Sequence, residues 1–246
     1  MPTDPVKTFF DGKAPEREAE FASSPVLMYE QKRRRKALAY LTEPDPGSRI
    51  LDVGCGNLLD YPIFKGAGCC YIGVDFSVEM LRDGVGRYPE CKGRVVIADA
   101  RQLPFRMESF DRVVASEIVE HVPEYEKIFN EIAPILKPGG TLTVSCPNRR
   151  SLYGLARWFW ERKHEWEHPY DKWKTPIEIK AQCRRAGLKV RASRGACYLP
   201  ALFGIAIPRK IQHLMVAVIS PFEPLFARVL PGFAYILGVR ADKRGR

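Results

Sequence analysis

Short apolar runs alternate with amphipathic stretches between residues 49 and 145. The runs are rich in Val and Ile and almost free of polar interruptions, which is typical of strands buried on both faces of a sheet. They predict strands at 49–53, 70–75, 95–98, 111–115 and 141–145, and later stretches predict two more at 188–196 and 233–241. Because the first five strands alternate with helices, we predict a doubly wound α/β fold around a mostly parallel sheet.

The stretches between the strands carry helical patterns. In PEYEKIFNEIAPIL, at 123–136, the apolar residues at 125, 128, 129 and 132 form one helical face. Pro134 removes a hydrogen bond from that helix, so we expect the helix to kink or end there. The following KPGG, at 137–140, predicts a turn into the next strand.

Two further helices are marked by their ends. In TPIE, Thr175 is a predicted N-cap, Pro176 fits the first helical position and Glu178 completes a capping box. We also expect residues 1–47 to form a helical N-terminal extension. Its main helix, VLMYEQKRRRKALAYL, is predicted to end at EPDPG and to present its RRR run on a solvated face.

Charge divides the chain. We interpret the 246 residues as one domain, with a cofactor-binding core at 48–148 and a substrate-side region at 149–246. Residues 1–148 carry 19 basic and 22 acidic side chains (net −3), whereas residues 149–246 carry 20 and 7 (net +13). The basic region indicates an anionic partner, such as a phosphorylated or carboxylated substrate, a lipid surface or RNA, or else a basic face that is merely solvated.

The remaining composition indicates an ordinary soluble protein. The seven cysteines contain no CxxC pair and are predicted to be buried free thiols. No apolar run reaches the roughly 18–20 residues of a membrane span, and the N-terminus has no signal-peptide pattern. We therefore expect a cytoplasmic protein, with contact to a membrane surface left open.

The stretch ILDVGCGNLLD at 50–60 carries the first chemical signal. In a parallel sheet, ligands bind beyond the carboxyl ends of the strands, which is where this loop is predicted to lie. Gly54 and Gly56 permit positive φ and keep side chains out of the ligand's path. Asp75 ends the second strand, 19 residues after Gly56, where a carboxylate can hold the two ribose hydroxyls of an adenosine. Asp99 ends the third strand and is a candidate partner for an adenine amino group.

The same loop argues against a dinucleotide. The dinucleotide fingerprint GxGxxG needs a third glycine, and Leu59 stands at that position. An acid such as Asp52 repels a diphosphate, but it stabilises an ammonium group. The predicted ligand therefore carries an adenosine, a carboxylate and a cation, and S-adenosylmethionine carries all three.

Five stretches in succession resemble the motifs of the class I S-adenosylmethionine-dependent methyltransferases. They are ILDVGCG, YIGVDFS, VVIADARQLPF, FDRVVASEIVEHV and ILKPGGTLTVSCPN, within a resemblance that spans about 48–192. The resemblance implies a Rossmann-like methyltransferase fold with seven strands, of which the last, FAYILGVRA, is antiparallel. The family often has a further glycine near position 58. Leu58 stands here, so we expect the outer wall of the loop to differ.

The resemblance also implies the cofactor site. Asp52, Gly54, Cys55 and Gly56 are expected to hold the methionine part of S-adenosylmethionine, and Asp75 is expected to hold its ribose. Around the adenine we expect Phe76, Asp99 and Ala100, with ordinary packing as the alternative for Phe76 and Ala100. Glu117 is expected to lie under the cofactor.

A second resemblance concerns the acceptor side. EHPYDKWKTPIEI resembles the HxYxKFxTPxEL stretch of ubiquinone-pathway O-methyltransferases, which carry ExxEH after the fourth strand, as do small-RNA 3′-end methyltransferases. In the latter family, two Glu and two His bind a divalent ion. The resemblance thus offers Glu117, Glu120, His121 and His168 as ligands of a divalent cation such as Mg²⁺. In the other interpretation no metal binds, and His121, with Glu120 and His168, has a catalytic or structural role.

The acceptor itself is indicated only by apolar surface. YLPALFGIAIPRKIQHLMVAVISPFEPLFARVLPGF, at 198–233, predicts an apolar lid over the site, flanked by Trp158, Phe159, Trp160, Trp166 and Trp173. With Arg209, Lys210 and Arg228 nearby, segment 198–231 suits a lipid-like or aromatic substrate or a membrane surface. A lid packed on the core and a dimer contact are the alternatives.

We therefore predict an enzyme that methylates a small molecule, on an oxygen of an aromatic, lipid-like or anionic metabolite. An RNA methyltransferase is the alternative within the same class, although we recognise no appended RNA-binding module. A non-catalytic adenosylmethionine-binding protein and an NAD-dependent oxidoreductase are the alternatives from other classes. The oligomeric state is not predicted.

Overall fold

The computed structural model describes residues 4–13, 24–162, 168–198 and 207–245. Parts of three predictions fall outside these ranges: the remainder of the N-terminal extension, the aromatic contribution of Trp166, and residues 199–206 of the apolar segment. The same is true of the side chain of Trp160.

A seven-stranded sheet forms the centre of the described chain. Its strands are β1 Arg49–Val53, β2 Cys70–Asp75, β3 Val95–Ile97, β4 Phe110–Ser116, β5 Leu136–Pro147, β6 Lys189–Ala196 and β7 Ile236–Asp242. They lie in the order β3-β2-β1-β4-β5-β7-β6, and β7 is antiparallel to both of its neighbours. The remaining neighbouring pairs are parallel. This is the predicted seven-stranded methyltransferase sheet, including its antiparallel last strand.

Nine α-helices accompany the sheet in the described ranges. They are α1 Pro5–Lys13, α2 Pro25–Thr42, α3 Tyr61–Gly66, α4 Val78–Arg87, α5 Glu126–Ile135, α6 Leu152–Trp160, α7 Pro176–Arg185, α8 Arg209–Ile219 and α9 Glu223–Val229. None of these helices is both long and apolar enough to cross a membrane. Two short 3₁₀ turns, Pro89–Cys91 and Pro231–Phe233, complete the elements.

The helix ends follow the local sequence. At the start of α7, the Thr175 hydroxyl accepts a hydrogen bond from Glu178 N at 3.2 Å, and the Glu178 carboxylate accepts one from Thr175 N at 2.7 Å. The predicted capping box is therefore confirmed. Helix α2 ends at Thr42 and is capped by Glu43, which has a left-handed φ of 46°, and α5 ends one residue after Pro134.

The predicted turn at 137–140 lies inside a strand that begins earlier than predicted. Strand β5 begins at Leu136 and runs through this segment, with an irregular register between Phe110 and Arg112 on the neighbouring β4. Gly139 has a φ of 75°, and Gly139 N donates a hydrogen bond to the carbonyl oxygen of Lys243. The glycines therefore lie in a bulge that stays attached to the chain just after β7, because Lys243 N also donates a hydrogen bond to the carbonyl oxygen of Gly140.

Helices cover both faces of the sheet. Successive strand residues alternate between two buried clusters, so Leu51 and Val113 contact one cluster and Ile50 and Val114 the other. Helices α5 and α7 contribute to the first cluster, and α2, α3 and α4 contribute to the second. All seven cysteines are free thiols, as predicted; five are buried, while Cys69 is half-buried and Cys70 exposed.

Candidate active site

A cavity of about 770 Å³ lies where β1, β2 and β4 end. Its walls come from the loop after β1, from the ends of β2 and β4, from α1 and α2, and from residues 169–173. Ten of the predicted site residues line it: Asp52, Gly54, Cys55, Gly56, Asp75, Phe76, Ala100, Glu117, Glu120 and His121. Asp99 and His168 lie beside the cavity and do not line it.

Asp52 is a buried acid at the end of β1. Asp52 is 3% exposed, and the Tyr71 hydroxyl donates a hydrogen bond to its Oδ2 atom at 3.0 Å. Burial raises the pKa of Asp52 to about 7, and the nearby charge of Asp60 acts in the same direction. A cationic group bound beside Asp52 would favour its ionised form, because opposite charges lower a carboxyl pKa.

The loop after β1 is held against the end of β2 by its own backbone. Gly54 and Gly56 have left-handed φ values of 72° and 50°. Gly54 N donates to the carbonyl oxygen of Val74, and Gly56 N donates to Asp75 Oδ2, each at 2.8 Å. The two glycines thus let the chain turn back onto β2 without a side chain in the cavity.

Leu58 continues this loop in an unusual conformation. It has a φ of 63°, a left-handed value that favours glycine, and its side chain is fully buried. Gly84 of α4 lies opposite, where a Cβ atom would come within 2.7 Å of Leu58 Cγ and 2.9 Å of the Asn57 carbonyl carbon. The leucine therefore fits because α4 has no side chain at this position.

The two acids that follow β2 and β3 have different surroundings. Asp75 accepts hydrogen bonds from two backbone groups, Gly56 N and Ser77 N, which fix its carboxylate in the cavity wall. Asp99 instead pairs with Arg101, whose guanidinium donates to both carboxylate oxygens and whose backbone N donates at 2.8 Å. This pairing lowers the pKa of Asp99, and Arg101, not Asp99, lines the cavity.

A buried polar network forms the floor. The Arg34 guanidinium of α2 donates two hydrogen bonds to Asp60, at 2.6 and 2.7 Å, and a third to Ser116 Oγ. Ser145 Oγ lies 2.9 Å from Ser116 Oγ and donates to Glu117 at 2.9 Å. The network links α2 to the start of α3 and to the ends of β4 and β5.

The role of Arg34 was not predicted from the sequence. The RRR run was predicted to be solvated, but Arg34 is only 5% exposed. The helical spacing indicates that Arg34 lies on the buried stripe of α2. The residues on the same side are Val26, Glu30, Ala37 and Leu41. On this stripe, burial and the charge of Glu117 raise the pKa of Glu30 to about 8.

His121 lies among carboxylates in the wall of the cavity. Its Nδ1 is 3.4 Å from the carbonyl oxygen of Tyr170 and 3.8 Å from Asp171 Oδ1, and its Nε2 is 3.7 Å from Glu120 Oε1. Burial raises the pKa of Glu120 well above its usual range, and the charges of Glu117 and Asp171 add to this. Asp171 is held in turn by Arg157 at 2.6 Å.

Asp171 and Arg157 are also residues that the sequence did not single out. They come from the segment 168–173 and from α6, more than 30 residues after His121 in the chain. The signal available was the DKW stretch, in which the Trp173 indole also donates to Asp171, at 3.2 Å. Nothing in the spacing indicated that this acid faces His121.

The predicted metal ligands form a cluster that does not fit a metal ion. The rings of His121 and His168 stack with centroids 4.4 Å apart and planes 26° apart, so their in-plane nitrogen lone pairs do not converge on one point. Glu117 Oε1 accepts a hydrogen bond from Ser145. Among the described residues, no three His, Cys, Asp or Glu side chains are arranged to hold a metal. The predicted metal quartet is therefore not supported.

Helix α1 lies across the mouth of the cavity. Phe10 packs against Phe76, His121 and His168 with ring centroids 6.4, 5.2 and 5.3 Å away. Ser77 Oγ donates a hydrogen bond to Asp11, and Val6 is buried. The N-terminal extension thus supplies part of the wall that separates the cavity from solvent.

Comparisons with known proteins agree with this architecture. A family model described as a methyltransferase domain matches residues 51–144. A ubiquinone biosynthesis O-methyltransferase of Xanthomonas campestris is 30% identical over 171 residues, which cover 63% of this chain and 68% of the relative. The chain belongs to the class I S-adenosylmethionine-dependent methyltransferases. This methyltransferase is also 34% identical over 143 residues to a demethylmenaquinone methyltransferase of Renibacterium salmoninarum, with 58% of each chain covered.

The fold of this methyltransferase also matches a solved structure. A methyltransferase of Haloferax volcanii, solved in complex with the Trm112 methyltransferase activator, superposes with a TM-score of 0.68. The match covers 96% of this chain and 97% of that one at 21% identity, so it concerns the fold alone. Family membership identifies an enzyme that uses S-adenosylmethionine. Asp52, Gly54, Gly56 and Asp75 fit that cofactor: Asp52 is buried, and the two glycines have left-handed φ values. Asp52 and the two glycines leave room for a charged amino acid beside the backbone.

Proposed function

We propose that this methyltransferase transfers a methyl group to a hydroxyl oxygen of an aromatic small molecule. The observation that carries the proposal is the position of His121, which lines the cavity with its Nδ1 toward the Tyr170 carbonyl. A carbonyl oxygen only accepts hydrogen bonds, so this contact favours the tautomer with the proton on Nδ1. Nε2 is then unprotonated and can receive a proton from the acceptor hydroxyl.

An oxygen acceptor needs such a group. S-adenosylmethionine supplies an activated methyl group, so the protein's own tasks are alignment and proton removal. As the acceptor oxygen bonds to the methyl carbon and the sulfur–methyl bond breaks, the hydroxyl proton passes to His121 Nε2. Asp171 and Glu120 flank the ring, and ionised Asp171 would stabilise the imidazolium that forms.

Aromatic side chains in the cavity walls favour an aromatic acceptor. Tyr153 and Trp173 stack in parallel with ring centroids 5.3 Å apart, and Tyr235 packs 4.4 Å from Tyr153. These rings line the cavity together with Phe10. Planar apolar walls bind planar ligands well, because ring stacking adds to the burial of apolar area. Two of the relatives are named for ubiquinone and demethylmenaquinone methylation, which supports the same acceptor class.

We further propose that helices α8 and α9 rest on a membrane surface. Their exposed apolar side chains are Ile211, Leu214, Val218, Leu225 and Val229. Arg209 and Lys210 are exposed at the start of α8, and a cationic rim beside an apolar helix face suits an anionic lipid surface. Co-sedimentation with phosphatidylglycerol vesicles tests this. Vesicle binding that is abolished by Leu214→Asp would support the membrane proposal. Dimers that form without vesicles and dissociate in the same variant would overturn it.

The acceptor class is tested with labelled S-adenosylmethionine and three probes: catechol, histamine and a tRNA transcript. We expect label in O-methylcatechol, identified by mass spectrometry, and little in the other two. Transfer to histamine or tRNA in preference to catechol would overturn the proposal. His121→Ala serves as the control for transfer that does not depend on the proposed base.

A further inference from the structure

The cavity is lined by many more acidic than basic side chains. Eight carboxyl side chains line it, against two guanidinium groups, those of Arg34 and Arg101. Both guanidinium groups are already paired, Arg34 with Asp60 and Arg101 with Asp99. Residues 149–246 carry 20 basic and 7 acidic side chains, yet no lysine or arginine of their described part lines the cavity. The inside of the cavity is therefore acidic, although the chain as a whole is basic.

Half of these acids already have a partner or a proposed task. They are Asp52 and Asp75 toward the cofactor, Asp60 with Arg34, and Asp171 with Arg157. The other four are the exposed Asp4, the half-buried Glu117, and Glu30 and Glu120, which are 8% and 1% exposed. Glu120 Oε2 is buried and has no hydrogen-bond partner among the described residues. The cavity thus has more negative charge than its own arginines and the cofactor site account for.

Glu30, on α2, shows this excess most clearly. It lines the cavity, and no hydrogen bond joins its carboxyl group to the part of the chain that the structure describes. Burial and the charge of Glu117 raise its pKa, and the charge of Arg34 offsets them only in part. A buried carboxyl group without a hydrogen-bond partner destabilises a fold, so a ligand that completes it is favoured. An ammonium group supplies both hydrogen-bond donors and the opposite charge.

Aromatic rings lie next to Glu30. The Cys197 thiol donates to the Glu30 carbonyl oxygen at 3.3 Å, and Tyr235 N donates to the Cys197 carbonyl oxygen at 2.8 Å. Burial raises the pKa of the Tyr235 hydroxyl well above its usual range, and the charge of Glu30 adds to this. The Tyr153 ring, 4.4 Å from that of Tyr235, lines the same cavity. Aromatic faces beside a carboxylate suit a bound cation, because both attract positive charge.

We propose that the aromatic acceptor carries an ammonium group, which binds to the Glu30 carboxylate beside the rings of Tyr153 and Tyr235. The inference rests on the proposed function and narrows its substrate class to aromatic hydroxyl compounds with a cationic side chain, such as hydroxylated arylalkylamines. A carboxylated or phosphorylated acceptor is disfavoured, because the acidic lining repels it and the effective dielectric of a cavity screens that repulsion weakly.

The experiment compares three catechols whose side chains differ in charge: dopamine, 4-propylcatechol and 3,4-dihydroxyphenylacetate. Titration calorimetry in the presence of S-adenosylhomocysteine gives the Kd of each, and methylation assays give KM, with the methylated atom identified by mass spectrometry. We expect the Kd and KM of dopamine to be about 10- to 100-fold below those of 4-propylcatechol, the range of a hydrogen bond between charged groups. The values for 3,4-dihydroxyphenylacetate should be about tenfold or more above those of 4-propylcatechol.

Variants test whether Glu30 is the source of this preference. Glu30→Gln keeps the size of the side chain and removes its charge, so the Kd ratio of 4-propylcatechol to dopamine should fall close to one. Glu30→Met is a second variant that also removes the charge, in case the first does not fold. Glu126→Gln is the matched control and should leave the ratio unchanged, because Glu126 is exposed on α5 and does not line the cavity. Thermal unfolding verifies that each variant is folded.

The outcomes distinguish this inference from the proposed function. Equal Kd values for dopamine and 4-propylcatechol, with both methylated on oxygen, overturn the ammonium site and preserve the proposed function. The ammonium site is also overturned if 3,4-dihydroxyphenylacetate binds most tightly, or if both Glu30 variants retain the preference for dopamine. A retained preference together with weaker binding of S-adenosylmethionine would assign Glu30 to the cofactor. Methylation of the dopamine nitrogen would instead preserve the ammonium site and overturn transfer to oxygen.

Discussion

The two halves of the active site are built in different ways. The part that we propose for the cofactor, the cofactor half, uses the ends of adjacent strands. Its contacts start from backbone N–H groups, such as Gly54 N to the Val74 carbonyl and Gly56 N to the Asp75 carboxylate. The acceptor half uses side chains from distant parts of the chain, from Phe10 on α1 to His121, Asp171 and Tyr235. Few backbone groups fix these side chains, which are held mainly by one another.

This difference separates what a whole family shares from what one member does. Strand order and the loop after β1 create the cofactor half, so any chain with this sheet can reproduce it. The acceptor half depends on which side chains meet after the helices pack. Changes in the cofactor half should therefore alter binding of S-adenosylmethionine, and changes in the acceptor half should alter turnover.

The largest expected effect comes from His121→Ala. Removing the proposed base should lower kcat by about 10²–10⁴-fold, the range typical of general base catalysis, while the Kd of S-adenosylmethionine stays nearly unchanged. Stopped assays and calorimetry measure the two quantities. His213→Ala, on the exposed face of α8, is the control. A loss of S-adenosylmethionine affinity as large as the loss of kcat would show that His121 serves both halves of the site.

Asp75→Ala should have the converse effect. The carboxylate makes charge-assisted hydrogen bonds to the loop and is our proposed ligand for the two ribose hydroxyls, so its loss should raise the Kd of S-adenosylmethionine by about 100-fold. Asp99→Ala should cost about tenfold or less, because Arg101 already occupies that carboxylate. The rank order, measured by calorimetry with Glu79→Ala as the control, would be contradicted by a larger effect at Asp99.

The cofactor half should also respond to pH. The pKa of Asp52 is about 7, and only its ionised form attracts an ammonium group. Affinity for S-adenosylmethionine should therefore be greatest above pH 7 and fall toward tenfold per unit below it, as the carboxylate takes up a proton. Asp52→Asn should bind weakly with a flatter profile between pH 5.5 and 8.5. A steep profile in that variant would assign the titration to another group.

The smallest expected effect is that of chelation. Because His121 and His168 stack instead of converging, methyl transfer should persist within about twofold after dialysis against EDTA. A loss of activity that added Mg²⁺ restores would revive the metal interpretation. The same assay with His168→Ala shows whether that ring acts only by supporting His121.

The sequence predicted the two halves unequally, for a physical reason. Strands β1 and β2 were predicted at their observed bounds, because a strand buried on both faces must be apolar throughout. Asp52 and Asp75 followed from their places at the ends of those strands. The roles of Arg34, Asp171 and helix α1 were not predicted, because they depend on contacts between segments far apart in the chain. The bulge in β5 was missed because glycines in a strand and glycines in a turn have the same local pattern.

The contact between Leu58 and Gly84 extends the cofactor half beyond its own surface. Gly84 does not line the cavity, yet a methyl group on it would press on Leu58 and on the backbone of Asn57, the residue directly after Gly56. Helix α4 thus packs directly against the loop and limits its position. Substitutions at this hidden position offer a way to weaken cofactor affinity in graded steps while every side chain that meets the ligand is left in place.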